Sequence, residues 1–263
     1  MLDVGLGTRL VLCYHGVSPA WPADPTVRPD RLGEQVELLQ KRGWRGLTLS
    51  DALRAPQRQK VFVVTFDDAH LSVYDLARPV LTGLGVPATI FVPTDYPDTG
   101  RLMGWPGYDV WLGTEHEQEL ACMSWEQLRE VADADGWEIG SHTCSHPKLT
   151  TLDDAELARE LSVSKAICEE RMERPCPTFA YPYNNWDART AVAAGEAGYS
   201  AAVTVDFGPW DLPLELPRVA VGNTDTAHRM LLRAWRRRHP QVDALLWRMR
   251  GHTPPGRGQT TPN

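Results

Sequence analysis

Apolar runs rich in β-branched residues alternate along the chain with stretches of helical spacing. Residues 10–14, 46–49, 61–66, 88–92, 137–139, 178–181, 201–205 and 217–221 read as strands. Most are apolar at successive positions rather than alternating, as expected of strands covered on both faces. Between them, Leu32, Val36 and Leu39 recur at i, i+4 and i+7 within 30–42, and Leu157, Leu161, Ile167 and Cys168 share a face of 153–172. Residues 71–84, 125–134 and 187–197 fit further helices. Repeated strand–helix units predict an α/β fold with a parallel sheet, either barrel or open. Residues 95–123, rich in Gly, Pro and Trp, form a long loop, and loops of that length are usually functional or disordered.

Composition narrows the class. The 263 residues are 42% hydrophobic and 23% charged, which excludes a disordered or fibrous chain. Basic side chains number 27 and acidic ones 34, a net charge of −7. Residues 229–263 hold eight Arg and one acid, +7, so the remaining 228 residues carry −14. An acidic body argues against nucleic-acid binding. The expected division is a catalytic barrel over 1–228 and a basic C-terminal helix and flexible tail over 229–263. In the tail, Val242, Leu245, Leu246 and Met249 give a short amphipathic face. That segment is expected to pack on the acidic body, with peripheral contact to an anionic membrane as the alternative. Five scattered cysteines without a CxxC pair make no disulfide framework and fit a reducing compartment. Residues 1–5 lack the pattern of a signal peptide, so the expected location is cytoplasmic.

Three segments could carry chemistry. Asp67 and Asp68 directly follow the apolar run 61–66, and strand C-termini form the active face of parallel α/β folds. One Asp would serve as a helix cap; two adjacent carboxylates are best tolerated beside a cation or proton. His142 and His146, at i and i+4 after another strand, can grip one metal ion from one side of a turn. With Asp68 they make the three-ligand open site of a hydrolytic metal. Cys144 lies between them as filler. In the third segment, Phe179-Ala180-Tyr181-Pro182-Tyr183-Asn184, Pro182 stiffens the turn and the Tyr183 N–H could act as an oxyanion donor.

In this order, Thr65-Phe66-Asp67-Asp68-Ala69 and Ser141-His142-Thr143-Cys144-Ser145-His146 resemble the TFDD[G/A] and H[S/T]xxH motifs of the NodB-homology polysaccharide deacetylases, carbohydrate esterase family four. The similarity runs from about residue 12 to about 221, with Tyr14-His15-Gly16-Val17 at its start. The form Phe-Ala-Tyr-Pro-Tyr is similar to the branch that includes poly-N-acetylglucosamine deacetylases, although Asn184 stands where that branch usually has Gly. The resemblance implies a distorted (β/α)7 barrel and a metal-dependent hydrolase of N-acetyl groups, less readily O-acetyl groups, on sugars. It implies one divalent metal, Zn²⁺ first and Co²⁺, Ni²⁺, Fe²⁺ or Mn²⁺ as alternatives, on Asp68, His142 and His146. Asp67 then takes the general-base role and His15 the general-acid role, with His228 as the other candidate acid. The family's motif Arg is replaced here by Ala180, and Arg218 could supply the missing cation. Trp105, Tyr108, Trp111 and Tyr181 are the candidate substrate-binding aromatics, and the loop's rings could equally pack the loop against the barrel. The implied substrate is an acetylated amino sugar, a glycoside or a lipid-linked sugar. Two other readings are a related hydrolase of linear or cyclic amides and a catalytically silent carbohydrate-binding barrel.

Overall fold

A computed structural model describes residues 7–206 and 210–239. Its strands are β1 (Arg9–Tyr14), β2 (Arg45–Gly46), β3 (Val61–Phe66), β4 (Ala88–Val92), β5 (Glu138–Ser141), β6 (Thr178–Ala180), β7 (Ala201–Thr204), β8 (Leu216–Pro217) and β9 (Val219–Ala220). They pair in the order β8-β7-β6-β5-β4-β3-β1-β9, with β2 added beside β3, and every pairing is parallel. β8 and β9 are one extended segment interrupted only at Arg218, pairing β7 on one side of the break and β1 on the other. That segment closes the ring. Counted once, and with β2 set aside, it makes seven strands, the expected distorted (β/α)7 barrel.

Side-chain alternation builds the two layers. Val11, Val61, Val63, Phe91, Ala180, Ala201, Val203 and Leu216 form the inner cluster. Their neighbours Leu10, Leu12, Tyr14, Phe62, Val64, Phe66, Ile90, Phe179 and Ala202 face outward to the helices. The helices are α1 (Pro29–Lys41), α2 (Leu49–Arg54), α3 (Arg78–Gly83), α4 (Trp125–Ala134), α5 (Asp154–Met172), α6 (Ala188–Glu196) and α7 (Ala227–Arg238). Continuing the inward parity of β1 and β3 past their ends carries Cys13, His15, Thr65 and Asp67 toward the C-terminal mouth. Seven-strand closure is loosest between β5 and β6, which share one register pair, Ser141 with Phe179. There, Glu138 accepts hydrogen bonds from Thr178 Oγ1 (2.8 Å), Ser50 N (2.9 Å) and Ser50 Oγ (2.7 Å), tying α2, β5 and β6 together below the mouth.

Several expected elements change. The strand expected over 46–49 shortens to β2, because the Thr48 side chain caps α2, a helix the periodicity missed. The helix expected over 71–84 splits into a π turn, Val73–Ala77, and α3. Pro79 has no N–H to donate and crowds the preceding carbonyls, so a wider turn precedes it. The boundary expected after residue 228 falls inside α7. Met230, Leu231 and Ala234 of that helix are buried in the main core, and Arg233 pairs with Asp225 at 3.1 Å. Residues 227–238 therefore belong to the barrel's shell, held by apolar packing as well as charge. The amphipathic face at Val242, Leu245, Leu246 and Met249, with the membrane contact expected of it, lies outside the described residues.

Candidate active site

Asp67 and Asp68 leave β3 in different directions. Asp67 continues the strand, its N–H bonded to the Tyr14 carbonyl at 2.9 Å, and points into the barrel. Asp68 turns out of line at φ 70°. Ala69, Thr143, His146, Tyr183 and Asn184 also adopt positive φ, so six of the eight such non-glycine positions among the described residues lie past the ends of β3, β5 and β6, Asp98 and Glu173 being the other two. Non-glycine residues held this way cost about 1–3 kcal/mol each, and such strain collects at functional sites. Asn184 explains one departure from the motif: at φ 52° it takes the conformation Gly favours, and its side chain bonds Asp206 Oδ1 (3.0 Å) and Val205 N (2.6 Å).

Asp68 Oδ1 lies 3.4 Å from His142 Nε2 and 3.4 Å from His146 Nε2. All three side chains are buried. Tetrahedral zinc with bonds of about 2.0 Å separates N and O ligand atoms by about 3.3 Å, so these edges already have the required length. Asp68 Oδ1 is buried with no hydrogen-bond partner, an arrangement costly for a carboxylate unless a cation completes it. His142 Nδ1 bonds the Ala180 carbonyl at 2.8 Å, which directs Nε2 toward Asp68. The residues present fit a divalent metal. Burial by itself pushes the Asp68 carboxyl up, but the histidines around it, His142 and His70 first and then His146 and His15, hold it well below the usual range.

Asp67 sits in a different environment. Arg218, 1% exposed, grips it with both arms: Nη1 to Oδ1 at 2.6 Å and Nη2 to Oδ2 at 2.8 Å. Nη1 also donates to Thr65 Oγ1 at 3.0 Å. Burial raises the Asp67 carboxyl, and the Arg218 charge, followed by His142, outweighs it and brings the value down to about 2. Asp67 is thereby kept anionic. Arg218 shares the inward parity of Leu216, which carries its side chain into the barrel between β7 and β1. His15 Nε2 lies 4.0 Å from Asp67 Oδ2 with 27% of its side chain exposed, whereas His228 is exposed on α7. The structure brings His15 to the site and leaves His228 outside it.

The aromatics divide. Trp105 stacks on His146 at 3.9 Å and 20°, and Tyr108 Oη is 3.0 Å from His70 Nε2. Both are buried, so their rings pack the loop onto His146 and His70 rather than standing open to a sugar. Trp111 is half-buried, edge-on to Trp21. Tyr183 is half-buried with its ring edge on His146 at 4.4 Å. Tyr181, expected to bind substrate, is a correction: it is 2% exposed, its hydroxyl donates to Leu214 O at 2.9 Å, and it belongs to the outer core. As an odd position next to the inward Ala180, it faces the helices.

Sequence reasoning passed over three supporting groups. His70, fully buried, has Nδ1 2.8 Å from Glu119 O and Nε2 3.7 Å from Asp68 Oδ2. Glu160 on α5 is 2% exposed and accepts from Cys144 N (2.9 Å), Ser145 N (3.0 Å) and Ser145 Oγ (2.9 Å), clamping the loop that carries His142 and His146. Its signal was a carboxylate between Leu157 and Leu161 on the helix's apolar face. Cys13 is the third; its inward position was visible from the parity of β1.

The fold and site together define a parallel (β/α) barrel with a candidate Asp-His-His metal-ligand set and an Arg-held carboxylate at its mouth. A family model for polysaccharide deacetylase matches residues 54–202, and the chain belongs to that family. It is 28% identical over 203 residues to YxkH of Bacillus subtilis, which carries the polysaccharide deacetylase name; the match covers 75% of this chain and 64% of that protein, so the chain spans less than two thirds of that relative's length. It is 22% identical over 225 residues to poly-β-1,6-N-acetyl-D-glucosamine N-deacetylase of Staphylococcus aureus, covering 80% of this chain and 72% of that one. IcaB from Ammonifex degensii superposes with a TM-score of 0.69 at 27% identity, over 87% of this chain and 97% of that chain.

Proposed function

We propose that this chain is a metal-dependent hydrolase that removes an N-acetyl group from an amino sugar within a saccharide or glycoconjugate. The observation that carries the reading is the pairing of two differently held carboxylates. Asp68 has an orphaned oxygen facing two imidazoles, while its neighbour Asp67 is locked anionic by Arg218. Family membership and the relative that acts on poly-β-1,6-N-acetyl-D-glucosamine support the choice of substrate class.

In this reading Asp68, His142 and His146 hold a divalent cation, with zinc favoured by the mixed imidazole and carboxylate donors. Such a cation polarises the acetyl carbonyl and acidifies water. Asp67 accepts the proton from the attacking water, and Arg218 keeps the carboxylate fixed in orientation and charge. His15, across from Asp67 and open to solvent on one side, delivers a proton to the departing amine nitrogen. The Tyr183 N–H donates to the developing oxyanion. Trp111 is the loop aromatic with surface left to meet a sugar ring. All five cysteines are unpaired, which supports action in a reducing compartment.

The test is acetate release from N-acetylglucosamine oligomers, small glycosides and lipid-linked acetylated sugars, with metal and with chelator. Metal-dependent release from at least one of them is expected. Sugar binding without release would favour a silent binding barrel, and release only from non-sugar amides would replace the substrate class.

A further inference from the structure

A second set of metal donors lies at the floor of the same mouth. Cys13, His15 and Asp67 each offer one ligand atom, all within 4.8 Å of one another. β1 and β3 are parallel neighbours in register, Tyr14 beside Phe66, so the inward residues Cys13 and His15 flank the inward Asp67. Cys13 Sγ is 3.6 Å from Asp67 Oδ2. With bonds of about 2.3 Å to sulfur and 2.0 Å to oxygen, tetrahedral zinc needs about 3.5 Å between those atoms. His15 Nε2, at 4.0 Å from the same oxygen, must close by about 0.7 Å. Its partial exposure gives it room to move and gives an ion a way in.

We propose that Cys13, His15 and Asp67 form a second, weaker site for a soft or borderline divalent cation such as Zn²⁺ or Cd²⁺, whose occupation shuts the enzyme down. Binding forms one metal–thiolate bond and releases the Cys13 proton to solvent. Two features rank this site below the first. Arg218 already donates to both oxygens of Asp67, and its charge repels a second cation. The first site, by contrast, has a carboxylate oxygen with no partner at all. Inhibition follows because the ion occupies the groups read above as base and acid; that part rests on the proposed function, whereas the binding does not.

Spectroscopy separates the two. Zinc-loaded protein is titrated with Cd²⁺, and the ultraviolet thiolate-to-cadmium charge-transfer band is followed, a signal that the sulfur-free Asp68–His142–His146 set cannot produce. The expected result is a band that saturates at about one equivalent of thiolate-bound Cd²⁺ and is lost in both Cys13→Ser and Cys13→Ala, each still holding its first equivalent of metal. Excess Zn²⁺ should depress acetate release at least about tenfold less in Cys13→Ser than in the parent. No band in the parent, or a band that persists in the Cys13 variants and so arises from another cysteine, would overturn the site. A protein that shows the band but releases no acetate would keep the site and reject the deacetylase reading.

Discussion

Arg218 and Asp67 are 151 positions apart and share two short hydrogen bonds in a buried setting. Removing one partner of such a pair strands the other charge, at a cost of about 3–5 kcal/mol. Arg218→Met should therefore destabilise the fold by about that much, and by less than half of it in an Asp67→Asn background, as read by chemical denaturation. The pair also sets an acid limit. Because folding depresses the Asp67 carboxyl from its ordinary 3.8 to about 2, its contribution is complete above the higher value and is lost as pH falls through the lower one. Stability of the parent should drop more steeply between those values than that of Asp67→Asn. The two motifs made Asp67, Asp68, His142 and His146 legible from residue order alone. The partner of Asp67 was legible as a gap at Ala180 with Arg218 as the candidate to fill it, but the contact itself was not, since no local pattern reports a contact between β3 and the last strand.

At the scale of elements, the site is built by strand parity and then fixed by what presses on the loops. Gly140 illustrates the tolerance: a Cβ there would lie 2.7 Å from the Phe91 ring and 2.7 Å from Thr178 Oγ1, at the thin β5–β6 seam. Gly140→Ala should cost about 1–3 kcal/mol through overpacking, measurable as a lower denaturation midpoint. The loop over 95–123 presses directly on the proposed metal site, with Trp105 against His146. Trp105→Ala should weaken metal affinity by about 10–100-fold in a chelator competition, while Trp105→Phe retains most of it. Strand runs and helix faces were readable because burial on both sides leaves an apolar signature. The hidden elements were those decided by contacts instead of periodicity: the short cap-initiated α2, the π turn forced ahead of Pro79, and α7, whose Arg-rich sequence masks the buried stripe of Met230, Leu231 and Ala234.

For the whole molecule, the barrel is a frame that holds one uncompensated carboxylate oxygen where three strands converge. A ligand that binds only the folded state raises stability by about 2.7 kcal/mol at a hundredfold excess over its dissociation constant. For a domain of this size that is a rise of about 5–10 °C in Tm on adding metal, reversed by chelator and absent in Asp68→Ala. Within the described residues, the basic end of the chain meets the acidic body through pairs such as Arg233 with Asp225. Among those residues, no helix is long and apolar enough to cross a membrane. The division of labour between the adjacent aspartates is the centre of the account, and one paired measurement reaches it: metal content and acetate release of Asp67→Asn beside Asp68→Ala. Asp67→Asn should keep about one equivalent of metal and lose acetate release by about a hundredfold or more, while Asp68→Ala should lose the metal itself. An Asp67→Asn protein that still turns over at the parent rate, or an Asp68→Ala protein that still holds its metal, would contradict it.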